Sequence, residues 1–400
     1  MISTQTNAKK TRGRVGIAAI STLVIMCSML TACGETTKMN SDFAGGDGSV
    51  SSPYQIETAK QLDKVREHLD SSFILESDID LSGYDNWSPI GTFESLSDKP
   101  EDAEVPNPEV AFTGNFDGNG HMISHVTVNE PQSMAVGVFG CVAGTETAPT
   151  SIKNLKVSDV SITGGYLVGG AVGLQFTYCT IENVSLEGKN ELQGCQGVGG
   201  VVGTGFSLIK DCTAAADITV LGDDGASAGI VVGGATYSSI TGCTASGGSI
   251  RAEGNACWGI GSICGAPYAS SEITDCSAHN ITISVTGANN RLIGGLVGFA
   301  GTYSDDTGAV IQNCEVEDVH IAVSDTATCI GGIVGGGKEE SEGSDVMSLF
   351  SIKNCNVSGE IKGGAQYIGS VIGNPGSARE IDCSGTMGEL LQESGSAANQ

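Results

Sequence analysis

A short apolar motif bracketed by glycines recurs through the C-terminal two thirds of this 400-residue chain. Residues 293–298 read Ile-Gly-Gly-Leu-Val-Gly, and related segments lie at 136–140, 168–173, 198–203, 228–233, 260–265, 330–335 and 368–373. Their first glycines are Gly137, Gly169, Gly199, Gly229, Gly261, Gly294, Gly331 and Gly369, so successive steps are 32, 30, 30, 32, 33, 37 and 38 residues. Periods in this range are typical of solenoids, in which each repeat packs on the next.

Two further segments follow most copies of the motif. The first has the pattern Ile-x-Asn/Asp-Cys, as in 209–212 and 311–314, and the second alternates apolar and polar residues, as in 217–220 and 280–285. Alternation with a period of two predicts a half-buried strand. We therefore expect three short strands per repeat and an all-β fold, a right-handed parallel β-helix solenoid of about eight coils. The handedness follows from the general preference of parallel crossovers.

A helical solenoid explains the repeat less well. Helical repeats need apolar spacing of three and four residues over about a dozen positions. Each glycine inside a helix costs roughly 1 kcal/mol, and every copy of the motif contains two or three glycines.

From about residue 136 to 383 the pattern resembles the GLUG-motif repeats of bacterial surface proteins, including the N-terminal regions of some immunoglobulin A metalloproteases. The leader sequence is similar too, with Asp-Ile-Asp-Leu-Ser-Gly at 78–83 and Phe-Asp-Gly-Asn-Gly-His at 116–121. The resemblance implies an extracellular repeat domain to which no chemistry is assigned. The chain contains no His-Glu-x-x-His motif, so the resemblance does not extend to the protease.

The N-terminus predicts export and lipid attachment. Four basic residues precede an apolar run over 15–30, and Leu30-Thr-Ala-Cys33 is similar to a bacterial lipobox. Residues 1–32 are then a lipoprotein signal peptide, and Cys33 is the lipidation site that places the protein at the membrane, on the extracytoplasmic bacterial surface. An ordinary secretory signal and a membrane anchor are the alternatives.

The remaining boundaries follow from composition. We expect a flexible tether over 33–50, an N-terminal cap with leader strands over 51–135, repeats over 136–388 and a disordered tail over 389–400. Within the cap, residues 58–70 predict an amphipathic helix with Thr58 as its N-cap. This helix would cover the first coil, whose apolar side chains and unpaired backbone otherwise face water.

The net charge limits the partners. The chain carries 19 basic and 46 acidic residues, a formal charge of −27, and removal of 1–32, which holds four basic and no acidic residues, leaves 15 − 46 = −31. Such a body repels nucleic acid, so no nucleic-acid partner is expected. Scattered calcium binding is the alternative to a merely soluble surface.

The body contains 12 cysteines when Cys27 and Cys33 are excluded from the total of 14. Six share one position of the repeat: Cys212, Cys243, Cys276, Cys314, Cys355 and Cys383. Export favours disulfides, but in-register parallel neighbours point their Cβ atoms the same way, which a disulfide does not allow. We expect a column of inward thiols and no metal.

Aromatic residues follow the glycine motif in several copies: Phe176, Phe206, Tyr237, Tyr268 and Tyr303. They predict a column along one edge of the solenoid. Stacked rings stabilise one another by about 0.5–1.5 kcal/mol per pair, so a structural ladder is one interpretation and an exposed platform for sugar rings is the other. Extra loop length at 299–310 and 336–351 lies at the same edge, and insertions confined to one corner often mark a binding face.

No catalytic residue, cofactor or metal is predicted. Residues 225–229 match a serine nucleophile elbow, but the strand-turn-helix context of that motif is not expected here. The five histidines show no recognisable spacing to a carboxylate pair. We therefore expect a binding or adhesion module for glycans or extracellular proteins. A polysaccharide lyase or glycoside hydrolase is the second interpretation and a structural spacer the third.

Overall fold

The computed structural model describes residues 42–94, 106–107, 109–301, 308–337, 350–364, 366–374, 378 and 380–388. The predicted signal peptide, Cys33, Tyr303 and the predicted tail lie outside these residues. The described residues of Met39–Gln400 belong to one compact unit. This unit is an all-β solenoid, in which every named strand pairing is parallel.

The leader region consists of short strands and one helical segment. In chain order these are β1 (Tyr54–Ile56), α1 (Ala59–Lys64), a 3-10 turn (Val65–Glu67), β2 (Ser72–Leu75), β3 (Ile79–Asp80), β4 (Asn115–Asp117), β5 (Met122–Ser124) and β6 (Thr127–Glu130).

Thirty strands follow in the repeat region. They are β7 (Ala135–Val136), β8 (Phe139–Val142), β9 (Thr150–Ser158), β10 (Ser161–Gly164), β11 (Leu167–Gly169), β12 (Val172–Gln175), β13 (Cys179–Glu187), β14 (Glu191–Gly194), β15 (Gly197–Gly199), β16 (Val202–Gly205), β17 (Leu208–Lys210), β18 (Thr213–Val220), β19 (Ser227–Gly229), β20 (Val232–Thr236), β21 (Ser239–Thr241), β22 (Thr244–Ala252), β23 (Trp258–Ile260), β24 (Cys264–Tyr268), β25 (Glu272–Thr274), β26 (Ser277–Val285), β27 (Arg291–Gly294), β28 (Val297–Phe299), β29 (Val310–Gln312), β30 (Glu315–Val323), β31 (Thr328–Gly331), β32 (Val334–Gly336), β33 (Ser351–Lys362), β34 (Gln366–Gly369), β35 (Ile372–Asn374) and β36 (Glu380–Gly388).

These strands form three sheets along the solenoid. Sheet 1 contains 20 strands, including the whole leader, whereas sheet 2 (β7, β11, β15, β19, β23, β27, β31, β34) and sheet 3 (β8, β12, β16, β20, β24, β28, β32, β35) contain eight each. Corresponding residues of successive repeats are direct register partners, as in Val168↔Val198 and Val198↔Ala228. The sequence repeat therefore becomes columns of side chains, as predicted.

The prediction that each of the three repeat segments forms one strand of its own was wrong. The glycine motif forms two strands in different sheets, such as β11 and β12, and the chain doubles back between them. The other two segments instead share sheet 1, and in β33 they form one continuous strand. The motif bends because its glycines allow the two strands to approach through their backbones.

Glycine is required where sheets 2 and 3 meet. A Cβ on the last glycine of the motif would meet the backbone of the sheet 2 strand one coil earlier, 2.5 Å from the Val198 nitrogen for Gly233 and 2.6 Å from the Ala228 nitrogen for Gly265. A Cβ on the first glycine would overlap the carbonyl oxygen three residues later, as for Gly294 and Val297. The two sheets thus pack with no side chain between them at these positions.

The Asn/Asp position forms a second column, in the middle of sheet 1. Its members adopt the left-handed conformation, with φ values of 53° (Asn154), 52° (Asn183), 54° (Asp211), 64° (Gly242), 56° (Asp275), 56° (Asn313) and 50° (Asn354). Asn and Asp tolerate this conformation better than other residues with a side chain. The amides also connect coils, since Asn183 Nδ2 donates to Asn154 Oδ1 at 2.9 Å and Asn354 Nδ2 to Asn313 Oδ1 at 2.9 Å.

The predicted cysteine column is confirmed. Five of its six members are buried, Cys383 is half-buried, and none forms a disulfide. Each thiol from Cys212 to Cys314 lies 3.6–3.8 Å from the carbonyl oxygen of an isoleucine one coil earlier. Hydrogen bonding to Cys243 and burial raise the pKa of the Cys212 thiol.

The predicted N-cap is confirmed, but the helix is shorter than predicted. Thr58 accepts from the Gln61 amide, and the Gln61 side chain accepts from the Thr58 amide, which completes a capping box. The α-helix ends at Lys64 and continues as the 3-10 turn. Leu62 and Val65 are fully buried in the main core. Phe43, near the end of the predicted tether, is also buried and stacks on Tyr54 at 4.4 Å.

Replacing Gly298 with alanine tests the requirement for glycine. The added Cβ would overlap the backbone of Gly259 and Ile260, so we expect a destabilisation of about 1–3 kcal/mol, as for other overpacked sites. Thermal unfolding monitored by circular dichroism measures the effect. Gly83→Ala is the matched control, because a Cβ at Gly83 meets nothing within 4 Å. Equal melting temperatures for the two variants would contradict the proposed close contact.

Thiol labelling tests the burial of the cysteines. Cys195 is exposed, whereas burial raises the pKa of Cys141 and Cys179 to about 12, which leaves almost no reactive thiolate at pH 8. We expect iodoacetamide to label Cys195 first in the native protein and to label Cys212, Cys243 and Cys276 only after denaturation. Peptide mapping by mass spectrometry would show this order, and equally rapid labelling of the column would contradict it.

Candidate binding surface

The surface of interest is the corner at which each coil passes from sheet 3 into sheet 1. We call the segments 176–178, 206–207, 237–238 and 268–271 the aromatic corner. Its backbone is fixed by neighbouring coils: the amide of Thr150 donates to the Tyr178 carbonyl at 3.1 Å, and the amide of Tyr237 donates to the Ala269 carbonyl at 3.2 Å. The side chains of the corner are therefore presented by a well-defined backbone.

Three of the predicted aromatic residues pack in two separate clusters along this corner. The rings of Phe176 and Phe206 contact each other in a tilted arrangement, with centroids 5.4 Å apart, and pack with Leu174 outside the main core. Tyr268 packs against Trp258 at 5.4 Å and Phe299 at 5.1 Å in another cluster. These contacts fit the structural interpretation for Phe176, Phe206 and Tyr268, while their role as ligand-binding residues stays a prediction.

Two tyrosines of the aromatic corner are exposed to solvent. The exposed fraction is 62% for Tyr237, which the sequence singled out, and 53% for Tyr178, which it did not. Both have positive φ, 51° and 56°. A bulky residue rarely adopts this conformation. Here 21 described non-glycine residues share it, so it sets the direction of the two side chains and does not by itself mark a site.

The surface between these tyrosines combines an apolar side chain with hydroxyls. Thr180, Leu208 and Ser239 are register partners on three successive coils, and each is half-buried. Two residues further along the strands, Lys210 Nζ lies 2.7 Å from Glu182 Oε1. This ion pair offsets its own two charges, but the column continues on the next coil with Glu272, the exposed register partner of Ser239, so these residues carry a net negative charge.

Four of the five histidines contact carboxylates, which sequence spacing did not reveal. Nδ1 of His121 lies 3.1 Å from Asp78, that of His125 2.9 Å from Asp80, that of His279 3.2 Å from Glu317 and that of His320 3.0 Å from Glu360. The partners are 38–45 residues apart in sequence. Register explains two of the pairs, because His279↔Glu317 and His320↔Glu360 are direct partners in sheet 1. The pairs thus connect neighbouring segments of the solenoid.

The other candidate sites have structural explanations. Ser227, in the segment that matches a nucleophile elbow, lies at the start of β19, and strand β20 follows instead of a helix. Asp78 and Asp80, whose spacing is similar to the start of a calcium loop, flank Ile79 at the short strand β3. Within the part of the chain that the structure describes, no three His, Cys, Asp or Glu residues are grouped so that they would hold a metal ion.

No protein-family model matches the chain. It is 33% identical over 164 residues to halomucin from Haloquadratum walsbyi, a match that covers 40% of this chain and 2% of halomucin. It is also 33% identical over 163 residues to a "Putative Gly-rich membrane protein" from Evansella cellulosilytica, covering 37% of this chain and 16% of that protein. The chain therefore spans a small part of the curated relatives it matches.

A solved structure is similar over most of the solenoid. The crystal structure of a "putative immunoglobulin A1 protease" from Bacteroides ovatus superposes with a TM-score of 0.52 at 21% identity, covering 81% of this chain and 87% of that chain. At this identity the similarity shows a shared fold. None of the helices in the described ranges has the length and apolar character needed to span a membrane.

Asp78 provides a test of the contacts between leader segments. Hydrogen bonds from the Met122 amide and from His121 lower the pKa of its carboxyl. A carboxyl whose pKa is lowered by folding stabilises the fold above its ordinary pKa of about 4 and loses that contribution as pH falls through the lowered value.

We therefore expect Asp78→Asn to melt slightly below the wild type at neutral pH, and the difference to shrink as pH falls below about 4. Melting temperatures measured across this pH range would show the convergence. Asp85→Asn is the control, since Asp85 is exposed and its variant should stay parallel to the wild type. A difference in melting temperature between Asp78→Asn and the wild type that stays constant with pH would contradict the hydrogen bonds assigned to Asp78.

Proposed function

We propose that this protein is a lipid-anchored, extracytoplasmic binding or adhesion module of the bacterial cell surface. The observation that carries the proposal is the pair of exposed tyrosines, Tyr178 and Tyr237, in strained backbone conformations at one corner. Exposed aromatic rings held by a rigid scaffold are costly to leave in water and are common in recognition surfaces.

The proposed placement on the cell surface rests on the N-terminal sequence and on the relatives. Cys33 follows an apolar segment with the features of a lipoprotein signal, and lipidation would tie the solenoid to the membrane. The name of one relative describes it as a membrane protein. The GLUG-like repeats are consistent with this placement.

We propose a matching architecture for the displayed part. Residues 51–135 form the membrane-proximal leader, with α1 and the 3-10 turn as the N-terminal cap, and about eight right-handed coils follow over 136–388. Leu62 and Val65, buried at the first coil, support the capping role.

The proposed ligands are glycans or extracellular proteins. The net charge of −27 makes nucleic acids and other polyanions unfavourable partners. The histidine-carboxylate pairs do not favour an enzyme, because His121, His125, His279 and His320 connect neighbouring segments on the outer surface and are spread along the solenoid.

Display of the full-length protein on a bacterial host tests the proposal. We expect cells that produce the wild type to adhere to at least one member of an array of immobilised glycans and extracellular proteins, compared with cells carrying an empty vector. Cys33→Ala should release the protein from the membrane fraction, and Tyr178→Ala/Tyr237→Ala should reduce adhesion without reducing the amount displayed.

The enzymatic alternative is measured in the same samples. Incubation with acidic and neutral polysaccharides, with and without calcium, should produce no new reducing or unsaturated ends. Appearance of such ends would replace the binding function with a lyase or hydrolase, and the absence of adhesion to every surface would leave the structural spacer.

A further inference from the structure

Tyr178 and Tyr237 lie on alternate coils of the same corner. Tyr178 lies between β12 and β13, and Tyr237 lies between β20 and β21. The coil between them passes the corner through Phe206 and Ser207, both of them half-buried. The register Thr180↔Leu208↔Ser239 places one coil, and only one, between the two tyrosines. Two exposed rings therefore flank a recessed coil.

The separation of the rings along the solenoid follows from the strand spacing. Neighbouring strands lie about 4.8 Å apart, so two coils span about 9.6 Å. This distance is similar to the repeat of two pyranose rings in an extended β-linked polysaccharide. A chain of this kind that runs parallel to the solenoid axis would bring equivalent sugar faces onto Tyr178 and Tyr237.

The surface two residues further along the chain from the two rings has the matching chemistry. A pyranose ring presents apolar C–H groups on its faces and hydroxyls around its edge. Leu208 provides half-exposed apolar surface on the middle coil, and the hydroxyls of Thr180 and Ser239 lie on the coils of the two tyrosines. The rings of Phe176 and Phe206, which contact each other with centroids 5.4 Å apart, lie at the same corner.

Charge selects among polysaccharides. The whole chain carries −27, and Glu272, the exposed register partner of Ser239, adds a negative charge that the Lys210–Glu182 ion pair does not offset. A polyanionic glycan would be repelled by the surrounding protein. A neutral glycan is not repelled by the negative charge of the protein.

From spacing, chemistry and charge we infer that the aromatic corner binds an extended, neutral, β-linked polysaccharide parallel to the solenoid axis, with sugar rings on Tyr178 and Tyr237 two coils apart. This inference rests on the proposed binding function and specifies its ligand. It makes affinity depend on the length of the sugar chain, because only an oligosaccharide long enough to reach both rings gains from the second contact.

Calorimetric titration of the full-length protein in detergent micelles tests the inference. The probes are β-1,4-linked oligomers of glucose, xylose and N-acetylglucosamine, from dimer to hexamer. We expect binding of at least one series, with a steep gain in affinity once the oligomer spans both tyrosines. Tyr178→Ala and Tyr237→Ala should each weaken the hexamer by about threefold to tenfold, as expected for loss of one ring contact. Tyr237→Phe should retain binding.

Tyr166→Ala is the matched control. Tyr166 is 45% exposed but precedes β11 at a different corner, so its loss should leave the titration unchanged. Melting curves of all variants confirm that they are folded. Equal binding by the wild type and Tyr178→Ala/Tyr237→Ala would overturn the inference.

A spacing variant tests the geometry itself. Ser270→Tyr/Tyr237→Ala keeps two tyrosines but places them three coils apart, about 14.4 Å, because Ser270 is the exposed register equivalent of Tyr237 on the next coil and has φ 53°. We expect the gain in affinity to require a longer oligomer in this variant than in the wild type. If no neutral β-linked oligomer binds while displayed cells still adhere through the same tyrosines to a protein, the inference is wrong and the proposed binding function stands. Loss of adhesion as well would overturn both.

Discussion

The contact between glycine and backbone where sheet 2 meets sheet 3 determines the shape of every coil. Gly233 and Gly265 lie against strands of the preceding coil at distances that exclude a Cβ. This contact forces the motif to fold back on itself, and the remaining residues of the coil must then close the loop along sheet 1. The third position of the motif is different, since Ile230 and Ser262 replace glycine there. Glycine is thus required by two specific contacts and is optional at the bend between them.

Contacts between successive coils then provide the hydrophobic core that a single coil lacks. One repeat has too few apolar residues for a core, but the columns through Val168, Cys243 and Ile283 are continuous from coil to coil. Polar residues use the same geometry. The amides of Asn183 and Asn354 hydrogen-bond their counterparts one coil earlier, and the histidines contact carboxylates of neighbouring segments. The strands pair in register in all three sheets apart from shifts in three pairings of sheet 1, and this register allows apolar, amide and charged columns to coexist.

The sequence repeat predicts the columns of side chains, but it does not predict the path of the chain within one coil. The spacing of the cysteines correctly predicted a buried thiol column, because one residue per coil is enough to specify a column. The turn at 117–120 lies between β4 and β5, yet both strands pair with β9 instead of with each other. Local turn chemistry describes a bend but does not select the partner strand. The exposure of Tyr178 was not predicted for a related reason. Counted from the glycine motif, Phe176 is the aromatic residue of that coil, and the sequence does not show that Tyr178 is the exposed one.

The uniform left-handed turn at the Asn/Asp position has a consequence for how such a protein changes size. Because Asn154, Asn183 and Asn313 bend the chain by the same local conformation, each coil ends in the orientation in which the next begins. Whole repeats can be duplicated or lost in tandem without altering the connections to the neighbouring coils. Evolution can therefore extend the reach of this molecule in fixed increments, and any motif that recurs on alternate coils keeps its period as the rod grows.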